Sequence, residues 1–366
     1  MSAIDARIAS LRAEAFVIPT DAPEEDGTYA WSSTTLVLVE VEAGGRRGLG
    51  YTYAAAAAAQ VVRDSLTKAV VGKSAGEIPA AWDAMVAEVR NLGSRGVCAC
   101  AISAVDTALW DLKAKLLGLP LVDLLGARRE AVPVYGSGGF TSYDDARLAS
   151  QLEGWVRDGG CRWVKIKVGR DAAADMLRVQ VARRAIGPEV SLFVDANGAW
   201  TVKHALAFAE RIADQDVAWF EEPVSSDDLE GLALVRQRAP AGMDVAAGEY
   251  GFDPFYFRRM LQAGAVDVLQ ADATRALGIT GFLRAADLAD AWNTPLSSHC
   301  APALHLHAAC AAPRLAHMEW FHDHVRIEAM LFDGAPALSD GLVRPDRSRP
   351  GLGLEFKRAD ARRLAA

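Results

Sequence analysis

The sequence is poor in cysteine and has no long apolar run. Its five cysteines are an odd number spread over 366 residues, too sparse for a disulfide framework. No CxxC pair is present to hold zinc, since Cys98 and Cys100 sit two apart. No window approaches the roughly 18 apolar residues of a membrane span; Ala54–Ala59 is only a short alanine run. The stretch Met1–Phe16 carries Asp5, Arg7, Arg12 and Glu14, so it lacks the apolar centre of a signal peptide. Positive charge is also short: 39 Lys and Arg face 47 Asp and Glu, a net charge of −8. Nucleic acids and anionic membranes both call for a concentrated basic patch, so neither is expected as a partner. The expectation is a reduced, cytoplasmic chain that handles small molecules.

What is present is an ordinary globular balance of 51% hydrophobic and 23% charged residues, with enough apolar material for a large core. The length exceeds the roughly 100–200 residues of one domain. Thr35–Glu42 alternates like a strand, Gly44-Gly45 marks a turn, and Gly48–Tyr53 follows as its partner. From Ala56 to Leu125 the period is helical. Ile102, Val105, Leu109 and Leu112 share one face of Cys98–Leu117, which Gly118 and Pro120 end. Together these predict an α+β unit of about 125 residues.

After Ala131 short apolar strands alternate with helices. The strands are Val132–Tyr135, Trp163–Val168, Val190–Val194, Val217–Phe220, Val245–Ala247, Val266–Leu269, Pro295–Ser298 and His317–Trp320. Eight strands with helices between them are the count of a parallel β/α barrel. The alternative, a doubly wound open sheet, wants a glycine-rich phosphate turn, and Gly136-Ser137-Gly138-Gly139 does not fit that pattern. The tail from Ile327 to Ala366 is expected to fold back onto the first unit.

Each strand from the second onward ends in an ionisable group. In order these are Lys165 and Lys167, Asp195, Glu221, Glu249, Asp272, His299 and Glu319, stepping from Lys167 by 28, 26, 28, 23, 27 and 20 residues. One such residue is ordinarily a helix cap or a solvated loop group. A whole set at one phase of a β/α repeat is not, because the carboxyl ends of barrel strands open onto one face. Asp195, Glu221 and Glu249 are hard oxygen ligands from adjacent strands, which suits Mg²⁺ and not zinc.

These residues resemble the enolase superfamily, most closely its mandelate racemase subgroup (the mandelate racemase/muconate lactonizing enzyme family). The matching pieces are Lys165-Ile166-Lys167, Asp195-Ala196-Asn197-Gly198, Glu221-Glu222-Pro223, Gly248-Glu249, Asp272-Ala273-Thr274, Ser298-His299 and Met318-Glu319. Ala101–Gly126 also resembles the helix and L-x-x-L-L-G ending of that family's capping domain. The resemblance implies a modified (β/α)7β barrel over 131–326, with a capping domain from 1–130 and a C-terminal segment, 327–366, that returns to the cap. It implies one Mg²⁺ on Asp195, Glu221 and Glu249, holding the carboxylate of an acid substrate. Lys167 would be the base on one face of the α-carbon, a His299–Asp272 dyad would work from the other, and Glu319 would hydrogen-bond the substrate carboxylate. The family pattern of a lysine base beside Mg²⁺ needs that lysine neutral. Lys165, on the same side of the strand, is expected to lower its pKa.

Asn197, Tyr250, Tyr51, Trp31 and His322 are candidate substrate contacts, while His305 and His307 read as packing residues. Pro19–Trp31 is the expected capping loop, and Leu277 stands where a second glycine is common in the family. The activity implied is α-proton abstraction from a carboxylate, with dehydration of a sugar acid to a 2-keto-3-deoxy acid preferred. Racemisation or epimerisation of a 2-hydroxy acid is the alternative, and a non-catalytic metal-binding protein on the same fold the third reading. A barrel hydrolase would show H-x-H on its first strand, where this chain has Val134-Tyr135-Gly136. Members of the family are commonly dimers or octamers, so a homo-oligomer is expected.

Overall fold

Alternation along the N-terminal strands builds two cores at once. In the computed structural model, which describes residues 3–366, β1 (Ser10–Glu25), β2 (Ala30–Ala43) and β3 (Arg46–Tyr53) form an antiparallel sheet in that order. Successive β2 side chains point to opposite faces. Val37, Val39 and Val41 therefore join the apolar core under the helix Val97–Leu117, while Leu36 and Leu38 join the core shared with the barrel. Residues 1 and 2 of the expected N-terminal unit lie outside the described residues.

Eight strands follow: β4 (Val132–Ser137), β5 (Trp163–Lys167), β6 (Ser191–Asp195), β7 (Val217–Glu221), β8 (Asp244–Ala247), β9 (Val268–Ala271), β10 (Leu296–Ser298) and β11 (Leu315–Phe321). Neighbours pair in parallel from β4 to β11, and β11 pairs with β4, so the ring closes. A capped parallel barrel was the fold expected from the sequence. A helix follows every strand, including His322–Leu331 after β11.

The barrel is filled from within. Tyr135, Phe193, Trp219, Ala246 and Val268 form a buried cluster inside it, and the buried His317 ring lies 4.9 Å from Tyr135 and 5.3 Å from Trp219. Period two then dictates what comes next. The phase that sends Phe193, Trp219 and His317 inward also sends Asp195, Glu221 and Glu319 inward, one layer nearer the carboxyl ends.

The tail runs along both parts of the molecule. Leu342–Val343 pairs with the start of β4, Phe332–Asp333 pairs with Glu355–Phe356, the Ala366 amide donates to Ala15 O at 3.0 Å, and Arg358 bridges Glu14 and Glu40. Among the described residues no helix is long and apolar enough to cross a membrane.

Candidate active site

Pro19–Trp31, expected as a loop, is most of a hairpin tip. β1 runs to Glu25 and β2 begins at Ala30, with a register shift between Pro19 and Glu24. Asp26 Oδ1 accepts the Thr28 and Tyr29 amides, both at 2.7 Å, and closes the turn. Gly27 lets this tip lie on the strand ends, since a Cβ there would stand 2.3 Å from Ala196 O. The tip and the barrel mouth together enclose a cavity of about 370 Å³. Lys167, Glu249, His299 and Glu319 line it from the barrel, and Asp26, Trp31, Thr34 and Tyr53 from the cap.

Oxygens of Asp195, Glu221 and the cavity-lining Glu249 lie within 4.8 Å of one another, and all three residues are buried. Adjacent-strand register carries two of them, Asp195 opposite Glu221. Glu249 follows Gly248, which holds φ +138° where a Cβ would lie 2.0 Å from Gln270 O, a place only glycine fits. Lys167 Nζ lies 2.5 Å from Asp195 Oδ2. Lys165 Nζ reaches both Glu221 oxygens at 2.7 Å and Glu319 Oε1 at 2.8 Å. Trp219 Nε1 also donates to Glu221 Oε2 at 3.0 Å, and Ser137 Oγ donates to Glu319 Oε1 at 2.6 Å.

Asp195, Glu221 and Glu319 thus share two ammoniums, while Glu249 meets the Arg275 guanidinium through Oε1 alone. Glu249 Oε2 is buried with no hydrogen-bond partner, and burial together with Asp195 pushes Glu221 up to about 8. Glu222, also buried and in a left-handed backbone conformation (φ 36°), has its pKa pushed well up by burial and by Glu249. An excess of hard anionic oxygens with one unpartnered fits a hard divalent cation.

The lysine pair departs from expectation. Burial pulls the Lys167 pKa down and Lys165 pulls the same way, as anticipated. Asp195, with Glu249 and Glu221, outweighs both and holds Lys167 above its ordinary value. Two lysines on one strand were visible in the sequence; the carboxylate set beside them by the neighbouring strand's register decides the balance.

Across the mouth, His299 Nδ1 lies 2.8 Å from Asp272 Oδ2, and Asp272 Oδ1 accepts the Thr274 amide at 2.7 Å. Burial opposes the charged form of Asp272, but the His299 hydrogen bond and charge hold its carboxyl far below the ordinary range. Burial also opposes charge on His299, yet Glu249 and Asp272 raise its pKa. β5 and β10 are separated by β4 and β11 in the ring, so Lys167 and His299 reach the cavity from different sides.

Of the candidate substrate contacts, Trp31, Asn197 and Tyr250 line the cavity. Tyr51 does not. It is fully buried, stacks on Phe332 at 4.9 Å between ring centres and donates to Glu328 Oε1 at 2.6 Å. Its strand neighbour at i+2, Tyr53, takes the wall position and stacks on His324. His322, expected at the mouth, turns outward to Asp21 at 3.1 Å. His305 is a packing residue that accepts the Ala273 amide at 2.7 Å. Arg275 was passed over in the sequence. It lies 3.2 Å from Glu249 Oε1 and over the Tyr250 ring, and its place just past a strand-end acid was the available signal.

Fold and site together define a capped β/α-barrel enzyme with acid–base groups on two sides of a carboxylate cluster. Residues 13–126 match the mandelate racemase/muconate lactonizing enzyme N-terminal domain, and 147–361 match the enolase C-terminal domain-like family. The chain belongs to the mandelate racemase/muconate lactonizing enzyme family of the enolase superfamily. It is 35% identical over 362 residues to the 3,6-anhydro-alpha-L-galactonate cycloisomerase of Streptomyces coelicolor, covering 96% of this chain and 98% of that one. A mandelate racemase/muconate lactonizing enzyme-like protein from Rubrobacter xylanophilus superposes with a TM-score of 0.96 at 51% identity, over 98% of this chain and 100% of that one. L-talarate/galactarate dehydratase from Salmonella typhimurium LT2, liganded with Mg and L-lyxarohydroxamate, superposes with a TM-score of 0.89 at 28% identity, over 99% and 93% of the two chains.

Proposed function

We propose that this chain is a Mg²⁺-dependent enzyme that removes the α-proton of a sugar acid and expels its β-hydroxyl, giving a 2-keto-3-deoxy acid. The observation that carries the reading is one cavity lined by Lys167 and His299 from different sides and by Glu249, whose carboxylate clusters with those of Asp195 and Glu221. Those three carboxylates would hold Mg²⁺, which when bound supplies positive charge to the substrate's carboxylate oxygens. Lys167 Nζ takes the α-proton once its ammonium has given its own proton to solvent; Asp195, which now holds that ammonium at 2.5 Å, would no longer do so when engaged as a metal ligand. Lys165 stays fixed between Glu221 and Glu319 and holds both carboxyl groups in place. Glu319 meets the substrate carboxylate from the β11 side.

His299 is the acid. Its Nδ1 is fixed by Asp272 at 2.8 Å, and Glu249 and Asp272, raising its pKa against burial, favour the protonated ring that a departing hydroxyl needs. The cap side of the cavity offers the hydroxyls of Ser33, Thr34 and Thr35, and barrel-side Asn197 an amide, a lining that suits a polyol tail. The cycloisomerase relative favours a second reading, in which the same proton abstraction ends in isomerisation or epimerisation without loss of water.

The test is a panel of aldonates and aldarates with Mg²⁺ in D₂O. Keto-acid formation with α-proton exchange is the expected result. Exchange with rearranged or epimerised product selects the second reading, and no exchange with any acid refutes both.

A further inference from the structure

We propose that His299, Cys300 and Glu319 form a second metal site, for a borderline or soft divalent ion such as Zn²⁺ or Cd²⁺. Nothing in the proposed reaction uses the Cys300 thiol. Yet Cys300 lines the cavity, with its Sγ 3.3 Å from His299 Nε2. Glu319 Oε2 lies 3.9 Å from the same nitrogen, and one donor atom from each of the three residues falls within 4.8 Å of the others. Ligand atoms around one tetrahedral zinc are about 3.2–3.6 Å apart, given metal–ligand bonds of about 2.0–2.3 Å. The side chains therefore need only small rotations to converge.

The surroundings are those of a metal site. His299 Nδ1 is tied to Asp272 Oδ2 at 2.8 Å, so its Nε2 is the nitrogen that faces the Cys300 thiol, oriented as metal-bound imidazoles are by an outer carboxylate. Glu319 Oε2 accepts the Cys300 amide at 2.7 Å and keeps a second lone pair. Glu249 Oε2, buried without a partner, lies 3.5 Å from His299 Nε2 and adds negative potential. All three donors line the cavity, so a fourth position opens onto it.

The two sites differ in chemistry. Three carboxylates select a hard ion, whereas nitrogen, sulfur and oxygen together select zinc-class metals. Binding sends the Cys300 thiol proton and the His299 Nε2 proton to solvent and leaves a thiolate and a neutral imidazole as ligands. A metal there removes the proton that His299 would deliver and fills the space a substrate would take. The binding itself stands on geometry and does not depend on the proposed reaction.

The experiment is a Cd²⁺ titration of the intact protein in excess Mg²⁺, reading the thiolate-to-cadmium absorption band in the ultraviolet. One band equivalent per chain is expected, lost in Cys300→Ser, with affinity about 10–100-fold weaker in Asp272→Asn. Cadmium NMR of the unsubstituted protein decides the matter without any variant, because one sulfur ligand moves the resonance well downfield of an all-oxygen site. Absence of the band, its survival in Cys300→Ser, or an all-oxygen resonance that Mg²⁺ displaces would overturn the proposal.

Discussion

Asp272→Asn separates the two acid–base groups. The carboxamide keeps the shape of the side chain, and the Thr274 amide at 2.7 Å from Oδ1 fixes which end is which. The amide oxygen must stay on that donor, so the new NH₂ group faces His299 Nδ1, where a carboxylate oxygen now sits at 2.8 Å. A donor facing Nδ1 forces that nitrogen to become the acceptor and moves the single imidazole proton to Nε2. The imidazole then has no surplus proton, since giving up its only one would leave an imidazolide. Its pKa also loses the Asp272 contribution that now raises it. General acid catalysis is worth about 10²–10⁴-fold, so net turnover should fall by that factor. Lys167 lies on β5 and touches Asp195, not Asp272, so washout of the α-proton in D₂O should stay within about tenfold, the scale of 1.4 kcal/mol. Proton NMR reads both rates in one tube. Equal loss of exchange and turnover, or turnover retained within tenfold, would refute the assignment of separate roles.

Lys167→Ala should remove α-proton exchange by at least about 10³-fold, with far-ultraviolet circular dichroism unchanged; retained exchange would exclude it as the base. His307 binds the Val122 amide through Nδ1 and Leu352 O through Nε2, and burial lowers its pKa from 6.5 to about 4. Because the folded value lies below the unfolded one, its contribution is complete above pH 6.5 and is lost as the pH falls towards 4. The loss is about 3 kcal/mol, from 1.36 kcal/mol per unit. Urea unfolding across that range should show a slope that His307→Gln flattens, and parallel slopes would contradict it. Tyr51→Phe leaves Glu328 Oε1 without its buried donor and should destabilise the chain by about 1–3 kcal/mol, read as a shift in urea midpoint with no change in the exchange assay.

Much of the barrel was legible because two periods coincide in it. Alternation within a strand fixes which residues point inward, and the β/α repeat fixes how often a strand end returns. Asp195, Glu221 and Glu319 follow Phe193, Trp219 and His317 by two residues each, and that relation needs no long-range information. The cap was harder to read. The resemblance offered Pro19–Trp31 as a capping loop, whereas pairing with β2 draws most of it into strands. Tyr51 reads as a pocket aromatic because the buried partner that claims it, Glu328, is 277 residues away. The charge state of Lys167 is likewise set by a neighbour on another strand, Asp195, and not by Lys165 on its own.

The aromatic filling of the barrel has a consequence for traffic. Tyr135, Phe193, Trp219 and His317 seal the ring beneath the carboxylates, so the chamber above them is blind-ended. Substrate, product and any displaced water pass one doorway, beside the hairpin tip seated by Gly27. Arrival and departure therefore share the cap side of the barrel, whichever bond is broken inside.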